Sequence, residues 1–273
     1  MKPTTPSKKN ILKEYVKRAL NKLPKKIRHR INKAVALSLG YDQAPTFNMF
    51  YHVRILKELG FIPEVVIDIG AYQGEWTKNV LDIFPNSYFL MIEAQTSKKP
   101  ILEEICQEHK NVSFESCLLG QTQQKEVSFY EMETGSSIYQ ENTSHSRRKV
   151  HLDMTTLDLV ATKKHTISKK CFLKIDVQGA ELDVLAGAGA VLETCEFVLL
   201  EVSMLNYNEN APQFADVILF LKEKGFVLFD ICDIQRNTHD VAFQTDLLFI
   251  KESSSIRSRV NFQPTAGNTL EGY

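Results

Sequence analysis

The stretch "VVIDIGAYQGEWT" (residues 65–77) decides how the chain is read. Four apolar residues and an acid run into Gly70, and Gly74 follows four positions later. The run reads as a strand buried on both faces, and "GEWTKNVLDIF" (74–84) as the helix behind it. Open α/β sheets hold nucleotides at such a strand–turn–helix, beyond the carboxyl ends of the strands. A dinucleotide turn would carry G-x-G-x-x-G. Here Tyr72 replaces the middle glycine, and Asp68 stands two residues before Gly70.

That acid bears on the cofactor class. A carboxylate beside a pyrophosphate is repelled, whereas beside a sulfonium it is attracted. The turn therefore favours S-adenosylmethionine over a nicotinamide dinucleotide, with Asp68, Gly70, Tyr72 and Gly74 as cofactor residues. Glu93 closes the next strand 19 residues after Gly74, where a carboxylate accepts from ribose hydroxyls in either cofactor class. The plainer alternative has Asp68 capping the helix and Gly70 only turning the chain.

Strand patterns recur at 88–94, 112–119, 125–132, 171–177, 196–203, 226–231 and 241–250, with helical patterns at 98–109, 179–192 and 211–225. Residues 149–160 begin extended and turn helical. This alternation implies an α/β fold, a largely parallel sheet with helices on both faces. The loop "CDIQRNTHD" (232–240) is too short for a crossover helix, so the last two strands are expected to pair antiparallel at the sheet edge. The polar insertion beginning "ETGSSIYQ" (133–140) reads as a lid or acceptor loop, with Ser136 and Ser137 as substrate-binding residues that contact acceptor hydroxyls or the cofactor's carboxylate, or as a plain solvated loop.

A second constellation is "FLKIDVQGAELD" (172–183). Asp176 ends the strand expected beside the first, and a carboxylate there faces the same crevice. Glu201 ends the following strand. Asp176 is the leading candidate for a general base, Glu201 the second and His239 a distant third. Asp176 with Glu181 offers hard oxygen ligands for magnesium, but no third ligand is evident. Glu181 also reads simply as a first-turn acid favoured by the helix dipole, and Asp183 as a solvated one.

Composition sets the boundaries. The chain has 273 residues, 43% hydrophobic and 24% charged, enough for one large core domain with an appendage. No run approaches the ~18 apolar residues of a membrane helix. Five scattered cysteines form no CxxC pair and read as reduced thiols of a cytoplasmic protein. Residues 1–33 hold twelve Lys or Arg against Glu14 alone, so a local +11 is balanced by −11 elsewhere. The expected division is a basic helical arm (1–45), a catalytic domain (46–252) and a flexible tail (253–273). The arm is amphipathic and suits either an anionic inner membrane face or packing on the acidic body or a second subunit.

The blocks at 65–77, "GSSI" (135–138), "TLDLV" (156–160), "FLKIDVQGAELDVLAGA" (172–188), "LLEVSMLNY" (199–207) and "QTDLLFI" (244–250) resemble the FkbM-type S-adenosylmethionine-dependent methyltransferases. The resemblance spans about residues 60–250 and is most specific at "LKIDVQGAE". It implies the class I (Rossmann-like) fold of seven strands, with the last inserted antiparallel. It further implies methyl transfer to a hydroxyl of a sugar, glycan or secondary metabolite. Asp68, Gly70 and Gly74 would then shape the methionine end and Glu93 hold the ribose; the family often has Asn where this chain has Tyr72. A nicotinamide-dependent oxidoreductase and a non-catalytic, membrane-recruited binding protein remain as alternatives. A nucleic-acid partner is disfavoured by the acidic body and the lack of a base-flipping motif.

Overall fold

A computed structural model describes residues 49–140, 146–167, 169–205, 208–209 and 211–260. The basic arm and residues 261–273 lie outside the described residues. Strands β1 (Val65–Ile69), β2 (Tyr88–Glu93), β3 (Val112–Ser116), β7 (Cys171–Ile175), β8 (Cys195–Ser203), β9 (Phe226–Arg236) and β10 (Ala242–Lys251) form one sheet, ordered β3-β2-β1-β7-β8-β10-β9. The first five in that order are mutually parallel, and β10 runs antiparallel to both neighbours.

Alternation along the strands divides the core. Val65, Ile67 and Ile69 pack with α4 (Leu157–Lys163), α5 (Glu181–Ala186), α6 (Gly189–Thr194) and α7 (Phe214–Glu223). Val66, Phe89 and Phe172 face the other way, toward α1 (Met49–Glu58), α2 (Glu75–Leu81) and α3 (Lys99–Glu108). Each central strand is thus apolar on both faces, as parallel strands under two helical layers must be. Phe61 braces the second layer, with ring centroids 4.7 Å from Phe197 and 6.0 Å from Phe84 in edge-on packing.

A second, three-stranded sheet, ordered β4-β6-β5, joins β4 (Leu118–Leu119), β6 (Arg148–Thr155) and β5 (Gln124–Glu131). Its β5 delivers the 132–138 loop to the carboxyl end of the main sheet.

The last two strands pair antiparallel at the sheet edge as expected: the crossover through α7 sets β9 parallel to β8 one strand-width away, and the hairpin return fills the gap with β10. Three other expectations are corrected. The 112–119 strand divides between the two sheets. The helix over 179–192 breaks at Gly187, where a Cβ would lie 2.2 Å from the Gly120 carbonyl oxygen. The tail does not begin loose at residue 253, since Ile256 is buried and Arg259 donates to the Leu59 carbonyl at 2.8 Å.

Candidate functional site

The register of β1 against β7 places Asp68 beside Lys174. Lys174 Nζ lies 3.0 Å from Asp68 Oδ1 and 3.6 Å from Asp176 Oδ2, and donates to the Gly70 carbonyl at 3.1 Å. Burial alone would lower its pKa, but Asp68 and then Asp176 hold it above the ordinary lysine value. Asp68 is 1% exposed and also accepts from Thr77 Oγ1 at 2.7 Å. It therefore supports the turn from behind, with its charge compensated inside the protein.

The turn itself is tightly closed. Gly70 has φ +71°, and a Cβ there would lie 1.8 Å from the Asp176 carbonyl oxygen. The N–H groups of Gly70 and Ala71 donate to the Ile92 carbonyl, that of Tyr72 to Glu93 Oε2 at 2.8 Å, and that of Gly74 to the Ala71 carbonyl. Glu93 also accepts from the Gln95 N–H at 2.8 Å, and burial raises its pKa against those bonds. The Tyr72 hydroxyl donates to Glu133 at 2.6 Å, and Lys98 Nζ reaches the same carboxylate at 2.7 Å while sitting 4.2 Å from the Tyr72 ring centre. These contacts draw the 132–138 loop over the ends of β1 and β2.

Under the loop is a cavity of about 170 Å³, whose walls include Gly70, Tyr72, Glu93, Leu118, Ser137 and Asp176. A second cavity, about 290 Å³, opens over the ends of β8, β9 and β10. Thr134, Asp176 and Gln178 line both, so Asp176 stands where they meet. Its side chain is 36% exposed, and Lys174 lowers its pKa against the effect of burial. Gln178 Nε2 donates to Asp176 Oδ1 at 3.0 Å and also to Glu201 Oε2. Glu201 is pushed well above the usual carboxylate range by burial and then by Asp176. The pair thus holds one ionised and one protonated carboxyl near neutrality.

The sequence signature described as Methyltransferase FkbM domain matches residues 68–228, more than half of the chain. The chain belongs to the FkbM methyltransferase family. The matched segment runs through the seven-stranded sheet described above, from β1 into β9. No curated protein matches it. Among solved structures it is similar to methyltransferase FkbM from Methylobacillus flagellatus KT, at 16% identity over 68% of this chain and 43% of that one, TM-score 0.43. It is also similar to precorrin-6y C5,15-methyltransferase from Geobacter metallireducens GS-15, at 12% identity over 77% and 92%, TM-score 0.42. A third is an S-adenosylmethionine-dependent methyltransferase from Clostridium acetobutylicum ATCC 824, at 8% identity over 82% and 97%, TM-score 0.43. The chain spans less than half of the Methylobacillus FkbM chain.

Within this FkbM domain the expected site residues fall into three groups. Gly70, Tyr72 and Glu93 line the first cavity, as do Ser136 and Ser137, which do not line the second. Asp176 and Glu201 line the second cavity together. Asp68 and Gly74 line neither: Gly74 precedes α2 with φ +75°, and a Cβ there would lie 2.4 Å from Ile105 Cδ1. His239 is exposed in the β9–β10 turn, away from both cavities. Glu181 is buried, and its Oε1 accepts from the Val177 and Gly179 N–H groups at 3.2 and 3.1 Å. It thus folds the loop that carries Asp176, and burial pushes its pKa up to about 7. Among the described residues no three His, Cys, Asp or Glu converge as metal ligands.

Sequence reasoning missed Lys174, Gln178 and Asp246. Asp246 lies on β10 directly between Glu201 of β8 and Asp233 of β9. It is 7% exposed, and burial, followed by Asp176 and Asp233, pushes it from the ordinary 3.8 to about 7. A carboxyl raised in the folded state supports stability fully below its unfolded pKa and loses that contribution as pH rises through the folded one. Asp246→Asn is therefore expected to gain stability over wild type progressively between pH 4 and pH 7, then level off. Its advantage at pH 8 should be about 2–4 kcal/mol, read from urea melts across pH.

Proposed function

We propose that the protein transfers the methyl group of S-adenosylmethionine to a hydroxyl oxygen of a sugar, glycan or secondary metabolite, with Asp176 as general base. The observation that carries this reading is the position of an ionised Asp176 at the junction of the two cavities. The residues of the first cavity fit the cofactor. Gly70 closes the turn so that its backbone forms part of the wall, and Glu93, accepting the Tyr72 and Gln95 N–H groups, keeps lone pairs for ribose hydroxyls there. When bound, the cofactor supplies an electrophilic methyl on sulfur. Gly70, Tyr72 and Glu93 would hold it, with Ser136 and Ser137 closing over it.

The chain's own contribution is mainly placement. Holding a hydroxyl in line with the methyl supplies on the order of 7 kcal/mol or more of the barrier. Asp176 accepts the hydroxyl proton as the oxygen becomes an ether, and Lys174 keeps that carboxylate ionised beforehand. Glu201, protonated, shares Gln178 with Asp176 and fixes which oxygen faces the acceptor.

The turn opposes the dinucleotide alternative. The N–H groups of Gly70, Ala71, Tyr72 and Gly74 all have acceptors within the protein, whereas a pyrophosphate turn directs such groups at its ligand. Calorimetry should therefore show S-adenosylhomocysteine binding and no NAD binding. NAD binding alone would overturn the reading.

A further inference from the structure

We infer that the cavity over the ends of β8, β9 and β10 is the acceptor site and that it selects neutral or amine-bearing hydroxyl compounds against anionic ones. The inference rests on the proposed role of Asp176. Beside Asp176 the wall carries Gln178, Glu201, Ser203, Gln235 and Gln244, with Phe243 as its aromatic ring.

The lining decides between the acceptor classes left open above. Three amides and a hydroxyl each both donate and accept, matching vicinal hydroxyls on a sugar ring. An apolar polyketide surface would leave the amide donors and acceptors not already spent on Asp176 and Glu201 without partners. The backbone fixes Gln178 at the wall. It adopts φ +54°, an uncommon left-handed conformation for a side chain of its size, and Asn208 Nδ2 donates to its carbonyl at 2.6 Å. Gln235 Nε2 donates to Glu201 Oε1 at 3.3 Å from the opposite side.

Charge sets the second preference. Two carboxyls line the cavity, of which Asp176 is the ionised one, and among the described residues no Lys or Arg does. Asp246 and Asp233 follow Glu201 across the sheet in register. Lys174 is already engaged by Asp68 and Asp176. A phosphate or carboxylate on the acceptor would meet the ionised Asp176 with no cation in the wall to pair it, the usual device for rejecting a wrong partner. An ammonium would be tolerated beside Asp176.

The test uses the full chain with methyl-labelled S-adenosylmethionine and a pool of cell-surface glycans. Labelled products are hydrolysed to single sugars and passed over an anion exchanger. Label is expected in the unretained fraction, and label confined to retained acidic sugars would overturn the inference. No label anywhere, with S-adenosylhomocysteine still bound, would instead defeat the sugar-methylation reading and the inference with it. With the labelled acceptor in hand, Gln235→Ala/Gln244→Ala should raise its KM about tenfold, as expected for lost hydrogen bonds. Affinity for S-adenosylhomocysteine should not change, and an unchanged KM would place the acceptor elsewhere.

Discussion

Asp176→Asn is expected to lower kcat by about 10²- to 10⁴-fold, the usual contribution of a positioned general base. Binding of S-adenosylhomocysteine should remain near wild type, because the asparagine keeps the shape of the shared wall and removes only the proton acceptor. Full turnover with normal cofactor binding would exclude Asp176 as the base. The pH profile gives an independent check. Lys174 holds Asp176 below the usual carboxylate range, so the base stays ionised as pH falls and kcat should be flat from pH 8 to pH 5. Removing Lys174 alone would strand the buried charge of Asp68, which is strongly destabilising. The informative variant is therefore Asp68→Asn/Lys174→Met, which keeps the core neutral. In it the Asp176 pKa rises under the remaining influence of burial, and an acid limb should enter the pH 5–8 window. A flat profile in that variant would mean that Lys174 does not tune the base.

The parts of this arrangement that the sequence revealed are those fixed by local pattern. The apolar run 65–69 ending in glycine, the acid at 176 and the short 232–240 loop each carry their meaning within a dozen residues. Strand order does not. That β10 enters between β8 and β9 follows from where the α7 crossover lands, a contact between segments far apart in the chain. Lys174 left a signal that went unused: a lone cation inside the apolar "CFLKI" needs a buried partner, and Asp68 was the acid available on the neighbouring strand. Gln235 and Gln244 left none, since amides on a strand near a sheet edge look alike whether they face solvent or a cavity. Tyr72 falls between these cases. Its ring walls the cofactor cavity and its hydroxyl ties down Glu133, an acid 61 residues away. No local pattern announces such a contact.

Gly70→Ala is expected to have the largest effect on stability of any small substitution in the turn. The new methyl would lie 1.8 Å from the Asp176 carbonyl oxygen and 2.9 Å from its carbonyl carbon, both backbone atoms with strands behind them. The left-handed φ of +71° adds roughly 1–2 kcal/mol for any residue with a Cβ. Relief requires the ends of β1 and β7 to separate, which also breaks the Asp176 N–H bond to the Ile69 carbonyl at 3.1 Å. The combined cost should reach about 3 kcal/mol or more, toward the severe end for one substitution. Gly225→Ala is the matched control: φ is +76°, but nothing lies within 4 Å of the added carbon, so only the conformational cost of about 1–2 kcal/mol applies. Urea melts of the two variants separate strain from clash, and equal losses would mean that the turn yields to the added methyl. If Gly70→Ala folds, Asp176 moves with the displaced backbone. A misplacement of about 1 Å can cost 10²-fold in rate, so turnover should fall even where folding survives.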